Sequence, residues 1–233
     1  MNNVAAVIVL AEGPTEQVFI KTLLSQYFAV KGIFLTPILL SKPGQKGGDV
    51  RFIRAQKDIG NHLKQRHDTY ITLMVDYYGI NKDWPGFEES KRQSGHRNKA
   101  EIINRETEKI IQTLFPDQNR GCRFIPYISM HEIEALYFSE PKTLARIMDI
   151  KPEKIEDIIR ECGEPEAIND GFDTAPARRL EKLSKKFKKI ATGIAIAKMV
   201  GIRRIRECCP LFDAWMNRIE NLQPDEKTAK NEV

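Results

Sequence analysis

Apolar and polar positions form alternating blocks over the first 140 residues of the chain. Continuous apolar runs rich in β-branched residues, such as residues 5–11 (AAVIVLA), are typical of strands buried on both faces of a sheet. Segments with apolar residues three and four positions apart are typical of amphipathic helices. This pattern predicts strands at residues 5–11, 34–40, 70–75 and 123–129, and helices at residues 15–28, 50–66, 98–114 and 131–138.

The same spacing predicts which helical side chains face the core. Asn98 is expected to start its helix, because it stands in capping-box spacing with Glu101. A Pro-Gly pair at residues 43–44 and a Gly-Gly pair at residues 47–48 predict a loop. The expected inward-facing residues are Phe19, Leu23, Leu24, Tyr27, Ile53, Ile59, Leu63, Ile102, Ile103, Ile110 and Leu114.

Alternating strands and helices favour an α/β fold, in which helices sandwich a parallel sheet. The chain after residue 140 is predicted to be a helical C-terminal region, with Phe212, Trp215 and Ile219 packed in the core. We therefore divide the chain into an α/β domain at residues 1–140, a helical region at 141–222 and a flexible tail at 223–233. The prolines expected to separate the helices are Pro141, Pro152, Pro165, Pro176 and Pro210.

Acidic side chains follow three of the predicted strands. Glu12 follows the first strand and Asp76 the third, while the segment after the fourth contributes His131, Glu132 and Glu134. Because ligands of parallel sheets bind at the carboxyl ends of the strands, these residues are expected to meet at one edge. Glu16 lies one helical turn after Glu12, where an acid also fits a simple interaction with the helix dipole.

Carboxylates brought together destabilise one another unless a cation lies between them. Oxygen donors without cysteine, and with at most one histidine, favour Mg²⁺ or Mn²⁺ over zinc. Such ions activate water and stabilise the leaving oxygen in phosphodiester cleavage. The predicted metal ligands are Glu12, Glu16 and Asp76 with Glu132 or Glu134, between which the spacing does not choose. His131 is a candidate proton carrier or phosphate contact, and a surface position is the alternative for a histidine at a helix start.

The net charge of +5 conceals a strongly basic segment at residues 178–206. This segment holds eleven basic side chains and a single acidic one, Glu181. A dense block of like charge favours a surface for nucleic-acid phosphates, and a solvated helix face is the simpler alternative. The candidate nucleic-acid contacts are Arg178, Arg179, Lys185, Lys186, Lys188, Lys189, Arg203 and Arg204.

Composition excludes several classes of protein. A hydrophobic content of 41% suffices for a core, and the chain does not have the composition of a disordered protein. The longest uncharged apolar run, residues 4–11, is too short to span a membrane, and no basic residue precedes it as in a secretory leader. The four cysteines lack the spacing of a zinc site. We expect a cytoplasmic protein with no membrane association.

Several motifs resemble Toprim proteins, the fold of topoisomerases, primases and the overcoming-lysogenisation-defect nucleases. An apolar strand leads into EGPTE at residues 12–16, and a later strand ends in Asp76. Over most of its length the chain is identified as a member of the Toprim-like family named domain of unknown function 4276. The matching segments are residues 12–16 (EGPTE), 75–79 (VDYYG), 131–136 (HEIEAL), 165–169 (PEAIN), 174–176 (TAP) and 209–215 (CPLFDAW).

This resemblance implies that Glu12 is a metal ligand or general acid/base and that Asp76 is a metal ligand. The Toprim pattern has a second acid two residues after the one that Asp76 matches, and this chain has Tyr78 at that position. Glu16 or an acid after the fourth strand would then complete the ligand set. The resemblance also implies an effector of a prokaryotic phage-defence system that works with a partner ATPase of the ABC or AAA type.

Together these features predict a Mg²⁺- or Mn²⁺-dependent phosphodiesterase or nuclease with Glu12, Asp76 and His131 as catalytic candidates. The alternative is a non-catalytic module that binds nucleic acid or the partner ATPase, which Tyr78 in place of the second acid favours. Primase-like phosphoryl transfer is the weakest hypothesis, because the glycines at residues 44, 47 and 48 do not fit a phosphate loop. The choice of DNA or RNA and the oligomeric state stay open.

Overall fold

A computed structural model describes residues 4–41, 50–168 and 173–222 of the 233-residue chain. The predicted loop at residues 43–44 and 47–48, the last residue of the motif at 165–169, and the predicted tail at 223–233 lie outside the described residues.

A parallel β-sheet forms the centre of the fold. β1 (Ala5–Ala11) lies between β2 (Ile33–Leu39) and β3 (Thr69–Asp76), and β3 also pairs with the short strands β4 (Phe124–Ile125) and β5 (Ile128–Ser129). All of these pairings are parallel. The central position of β1 follows from its sequence, because a strand covered on both faces needs apolar side chains at every position.

Helices cover both faces of the sheet and form the C-terminal region, as the sequence predicts. The helix after β1 is continuous but contains a π-helical turn at Ile20–Leu24, between α1 and α2. The α-helices are α1 (Pro14–Phe19), α2 (Ser25–Ala29), α3 (Phe52–Gln65), α4 (Phe87–Lys91), α5 (His96–Leu114), α6 (Pro141–Met148), α7 (Glu153–Cys162), α8 (Pro176–Leu183), α9 (Ala191–Val200), α10 (Ile202–Cys208) and α11 (Pro210–Glu220). Two 3₁₀ helices, Ile133–Ser139 and Pro165–Ala167, complete them. In the described parts of the chain, no helix has the length and apolar character needed to cross a membrane.

Each face of the sheet has its own hydrophobic core. Ile8 and Leu10 of β1 pack with residues of α3 and α5 on one face. Val7 and Val9 pack on the other face, in a core that also contains side chains of the helix after β1 and of the C-terminal helices. The indole N–H of Trp215 donates to the Thr72 hydroxyl of β3 at 2.8 Å, which ties α11 to the sheet. Trp215 is buried together with Phe212 and Ile219, as expected.

The structure corrects three details of the predicted helices. Ile53 is 61% exposed rather than buried, because the buried stripe of α3 begins one position earlier, at Phe52. Leu114, the last residue of α5, is 45% exposed, and Ile111 occupies the buried position. Asn98 does not start α5, which begins at His96 after a glycine with positive φ.

The fourth predicted strand and the helix after it also differ from expectation. The strand is divided into β4 and β5, and the break falls at Pro126, which has no N–H to donate to a sheet. The following segment is a 3₁₀ helix at Ile133–Ser139 in which every residue is buried. It therefore lacks the exposed side of the amphipathic helix that the sequence pattern predicts.

We expect Arg123→Met to lower the free energy of unfolding by about 3–5 kcal/mol. The buried Arg123 guanidinium donates to the carbonyl oxygens of Leu63, Arg66, Thr69 and Gln118, and methionine would leave these acceptors without the donor. Urea denaturation followed by circular dichroism measures the change.

Arg120→Met is the matched control for this substitution. Arg120 is exposed and pairs with Asp117 three residues earlier, so its loss should change the free energy of unfolding by less than about 0.5 kcal/mol. Equal effects of the two substitutions would contradict the structural role assigned to Arg123.

Candidate functional site

Glu12 lies where β1 and β3 end at the same edge of the sheet. Its backbone N–H donates to the Met74 carbonyl at 3.1 Å, and its carboxylate Oε2 accepts the backbone N–H of Asp76 at 3.0 Å. A Cβ atom at Gly79 would lie 2.6 Å from Oε1 of Glu12. The Glu12 carboxylate is therefore held against the backbone that follows β3, and glycine is the residue that leaves room for it.

Glu16 lies in the first turn of α1 and faces the same edge. Its side chain is buried. Burial raises the pKa of Glu16, and the negative charge of Glu12 raises it further. The charges of Glu12 and Glu16 therefore act on each other across this edge, and their role as a metal pair stays a prediction.

Asp76, the last residue of β3, is surrounded by the other predicted acids. Burial raises the pKa of Asp76 well above its usual range, and the carboxylates add to the rise. These carboxylates, in decreasing order of effect, are Glu12, Glu16, Glu134 and Glu132. The structure therefore brings the other four acids within electrostatic reach of Asp76, and we refer to the five as the acidic cluster.

Glu132 and Glu134 differ in their hydrogen bonding. The Glu132 carboxylate accepts the Ala177 backbone N–H at the start of α8 at 2.9 Å and the Lys189 ammonium at 3.0 Å. Glu134 is 1% exposed, and its Oε1 has no hydrogen-bond partner. Burial raises the pKa of Glu134 to about 7. Because Glu132 already has two hydrogen bonds, Glu134 has the oxygen with coordination to spare.

Lys189 supplies positive charge to the acidic cluster. Its Nζ lies 3.0 Å from Glu132 and 3.9 Å from Glu134. Burial by itself would lower the pKa of Lys189, but Glu134 and Glu132 reverse this and raise it. The sequence predicts Lys189 as a contact to nucleic acid, whereas in the structure its ammonium is directed at the acids.

Tyr137 was not among the predicted site residues. Its hydroxyl is buried without a hydrogen-bond partner, and burial, followed by the charges of Glu134 and Glu16, raises the pKa of Tyr137. The sequence signal is its position three residues after Glu134, because residues three apart share a face of a 3₁₀ helix. The hydroxyl adds a neutral polar group beside the carboxylates.

His131 is buried, so the surface alternative for this residue is wrong. Only 4% of it is exposed, and within the described residues neither ring nitrogen makes a hydrogen bond of good geometry. Burial lowers the pKa of His131 to about 3, so the imidazole is neutral at physiological pH. Its ring stacks on Tyr78, with the ring centroids 5.9 Å apart.

The basic segment at residues 178–206 does not form one helix. It runs through α8, the connection at residues 184–190, α9 and part of α10. Most of the predicted contact residues there have acidic partners within the chain. These pairs are Arg178 with Glu181, Arg179 with Glu161, Lys186 with Asp149, Arg203 with Glu207, and Arg204 with Glu140 and Glu207.

Three of the predicted lysines line one open groove. Lys185, Lys188 and Lys189 line a groove of about 810 Å³ together with Phe187, Ile190 and one acid, Glu181. Within the described ranges, Lys185 and Lys188 form no ion pair. The groove adjoins the acidic cluster, because Lys189, which lines the groove, is paired with Glu132 of the cluster.

The donors of the acidic cluster suit a hard divalent cation. Carboxylate oxygens are the ligands that Mg²⁺ and Mn²⁺ prefer, and within the described residues the buried Oε1 of Glu134 accepts no hydrogen bond. In residues 4–41, 50–168 and 173–222, however, no three His, Cys, Asp or Glu side chains form a ready-made metal site. The carboxylates would therefore have to turn toward a shared ion.

A family model described as Domain of unknown function (DUF4276) matches residues 11–220. The family resemblance noted in the sequence is thereby confirmed, while a relation to Toprim proteins stays a prediction. The chain matches no curated protein and no solved structure.

We expect Glu134→Gln to stabilise the folded chain at about pH 8 by about 2–3 kcal/mol, and to have little effect at about pH 4.5. The pKa of Glu134 is raised to about 7 in the folded state, so folding favours the protonated form. The folded chain therefore loses stability as the pH rises from about 4.5 through about 7, where Glu134 becomes charged. Glutamine at this position cannot take up that charge. Urea denaturation of both proteins at the two pH values measures the difference.

Glu101→Gln is the matched control, because Glu101 is an exposed acid on α5. Its substitution should leave the stability nearly unchanged at either pH. A destabilising effect of Glu134→Gln at high pH would contradict the assigned electrostatic strain.

Proposed function

Since the chain belongs to the family described as Domain of unknown function (DUF4276), we propose its activity from the chemistry of the acidic cluster: it is a Mg²⁺- or Mn²⁺-dependent nuclease. The observation that carries this proposal is the buried Oε1 of Glu134, which accepts no hydrogen bond within the described residues and has only the Lys189 ammonium at 3.9 Å, together with the carboxylates around Asp76. The lysine-lined groove beside the cluster supports a polyanionic substrate.

In this proposal Glu12, Glu16, Asp76 and Glu134 hold the metal. When bound, the metal supplies activation of water and stabilisation of the leaving oxygen of a phosphodiester. Glu12 and Asp76 lie on the rigid ends of two neighbouring strands, and the hydrogen bond between them fixes their relative position. Glu132 has a different role, because it anchors Lys189 and the start of α8.

The lysines contact the substrate in this proposal, whereas His131 has a supporting role. Burial lowers the pKa of His131 to about 3 and shields its ring nitrogens from water, so it is too weak a base to activate water and instead supports the Tyr78 ring that stacks on it. Lys185 and Lys188 hold the phosphates of the nucleic acid in the groove.

The resemblance to Toprim nucleases also supports a cellular role. In this role the protein is an effector of a prokaryotic phage-defence system and acts with a partner ATPase.

Two predicted nucleic-acid contacts, Arg203 and Arg204, have no part in this proposal. They lie on α10, pair with acids of their own chain and do not line the groove.

A non-catalytic module that binds nucleic acid is the second candidate function. Tyr78 in place of a second acid favours it, as does the absence of a ready-made metal group among the described side chains. In this case the lysine groove would bind nucleic acid, and the acidic cluster would serve to position Lys189.

We expect Glu12→Gln and Asp76→Asn each to lower Mn²⁺-dependent cleavage by about a hundredfold or more, since each removes a charged metal ligand. Both substitutions nearly conserve side-chain volume, and glutamine at position 12 can still accept the Asp76 N–H. Gel assays with single-stranded and duplex DNA and RNA measure the cleavage.

Glu101→Gln serves again as the control and should cleave like the unsubstituted protein. Cleavage that survives both site substitutions would contradict the nuclease proposal. Binding of nucleic acid without cleavage, unaffected by EDTA or by Glu12→Gln, would favour the binding module.

We also expect Lys189→Met to raise the affinity for Mn²⁺ by about tenfold. Lys189 already offsets the charges of Glu132 and Glu134, and a divalent ion and an ammonium about 4–8 Å apart would repel each other by about 1–2 kcal/mol even in water-like surroundings, so the lysine would compete with the metal. Isothermal titration calorimetry measures the affinity.

Lys188→Met is the matched control, because Lys188 lines the groove without an ion pair in the described part of the chain. Its substitution should weaken the binding of nucleic acid and change the Mn²⁺ affinity much less. An unchanged or lower Mn²⁺ affinity of Lys189→Met would rule out the competition.

A further inference from the structure

Tyr78 presents a large aromatic surface beside the acidic cluster. Its side chain is 55% exposed, although it lies between Asp76 and Gly79 in the chain. Gly79 packs against the Glu12 carboxylate. An exposed aromatic ring therefore lies two residues after the proposed metal ligand Asp76 and next to the glycine that packs against a second one, Glu12.

The Tyr78 ring is held in place by its neighbours. It stacks on His131 with an angle of 20° between the ring planes, and the Tyr77 ring packs against it edge-on, with the centroids 5.4 Å apart. Both neighbours are buried, and the Tyr77 hydroxyl is hydrogen-bonded to that of Ser90 at 2.9 Å. A ligand that stacks on Tyr78 would therefore meet a pre-oriented surface and lose little side-chain entropy on binding.

A chain of contacts along the acidic cluster connects this ring with the lysine groove. Tyr78 stacks on His131, the next residue is Glu132, and Glu132 is paired with Lys189 of the groove. An aromatic ring at one end and lysines at the other is the combination with which proteins hold single strands, the lysines contacting phosphates and the ring stacking on a base.

We propose that Tyr78 is a stacking platform for an unpaired base, which makes single-stranded nucleic acid the preferred ligand of this site. The inference rests on the proposed function only in taking nucleic acid as the ligand. Bases within a duplex are stacked on their own neighbours and do not offer a face to the ring, whereas a base of a single strand does.

The test measures binding of the full chain in EDTA, so that cleavage does not interfere. The probes are fluorescein-labelled oligo(dT) and oligo(U) of about 15 nucleotides and a labelled DNA duplex of equal length. Tyr78→Ala should weaken binding of the single strands by about fivefold or more, and should change duplex binding much less. Tyr78→Phe and Tyr78→Trp should bind like the unsubstituted protein, because each keeps an aromatic face.

Phe34→Ala is the matched control. Phe34 is 51% exposed, but it lies near the start of β2, at the end of the sheet opposite to the acidic cluster. Its removal should leave all three affinities unchanged. Comparison of the oligo(dT) and oligo(U) probes shows whether the platform serves DNA, RNA or both.

Tyr78→Trp also provides a direct signal of stacking. Both natural tryptophans, Trp84 and Trp215, are buried with 2% exposure, so the new indole would be exposed to the ligand. Its emission should be quenched when oligo(dT) or oligo(U) binds.

Three results would overturn this inference. They are unchanged single-strand affinity of Tyr78→Ala, an equal loss for single strands and duplex, and failure of the aromatic variants to retain binding. Loss of cleavage is judged separately through Glu12 and Asp76 in the presence of Mn²⁺. Single-strand binding that depends on Tyr78, without any cleavage, would therefore contradict the nuclease proposal and support the stacking role of Tyr78.

Discussion

The burial of carboxylates next to one another at one edge of a parallel sheet is the constraint on which much of this structure depends. Burial first, and repulsion by neighbouring carboxylates after it, raises the pKa values of Glu16, Asp76 and Glu134, so the folded chain favours their protonated forms. Three contacts oppose the repulsion, because backbone N–H groups bind two of the acids and Lys189 supplies a positive charge. A divalent cation would offset more of it, and this links the stability of the fold to the proposed chemistry.

The C-terminal region takes part in this edge as well as in the core. Lys189 and the Ala177 N–H that bind Glu132 both come from it. A further buried acid, Glu166, fastens the start of α11 by accepting the backbone N–H groups of Leu211 and Phe212, and burial raises its pKa to about 7. The site is therefore built from both halves of the chain.

The sheet could be predicted from sequence more reliably than the helix faces. The residues of β1 are apolar throughout, and a strand of this kind is buried on both faces only at the centre of a sheet. Errors arose where one position decides burial, as at Ile53, which is one residue away from the buried stripe of α3. The hydrophobic pattern predicts an amphipathic helix after β5, because a charged residue such as Glu134 counts as exposed in such a pattern. In the structure this segment is a 3₁₀ helix, and Glu134 is buried.

The sequence by itself determined that Glu12 and Asp76 follow or end two predicted strands. Because parallel strands end on the same side of a sheet, this also determined the edge where the two acids meet. Only the tertiary structure decided that His131 is buried, that Glu134 rather than Glu132 has an oxygen without a hydrogen bond from the described residues, and that Lys189 turns toward the acids. These features depend on contacts between residues far apart in the chain, such as Glu132 and Lys189, and such contacts leave no periodic pattern in the sequence.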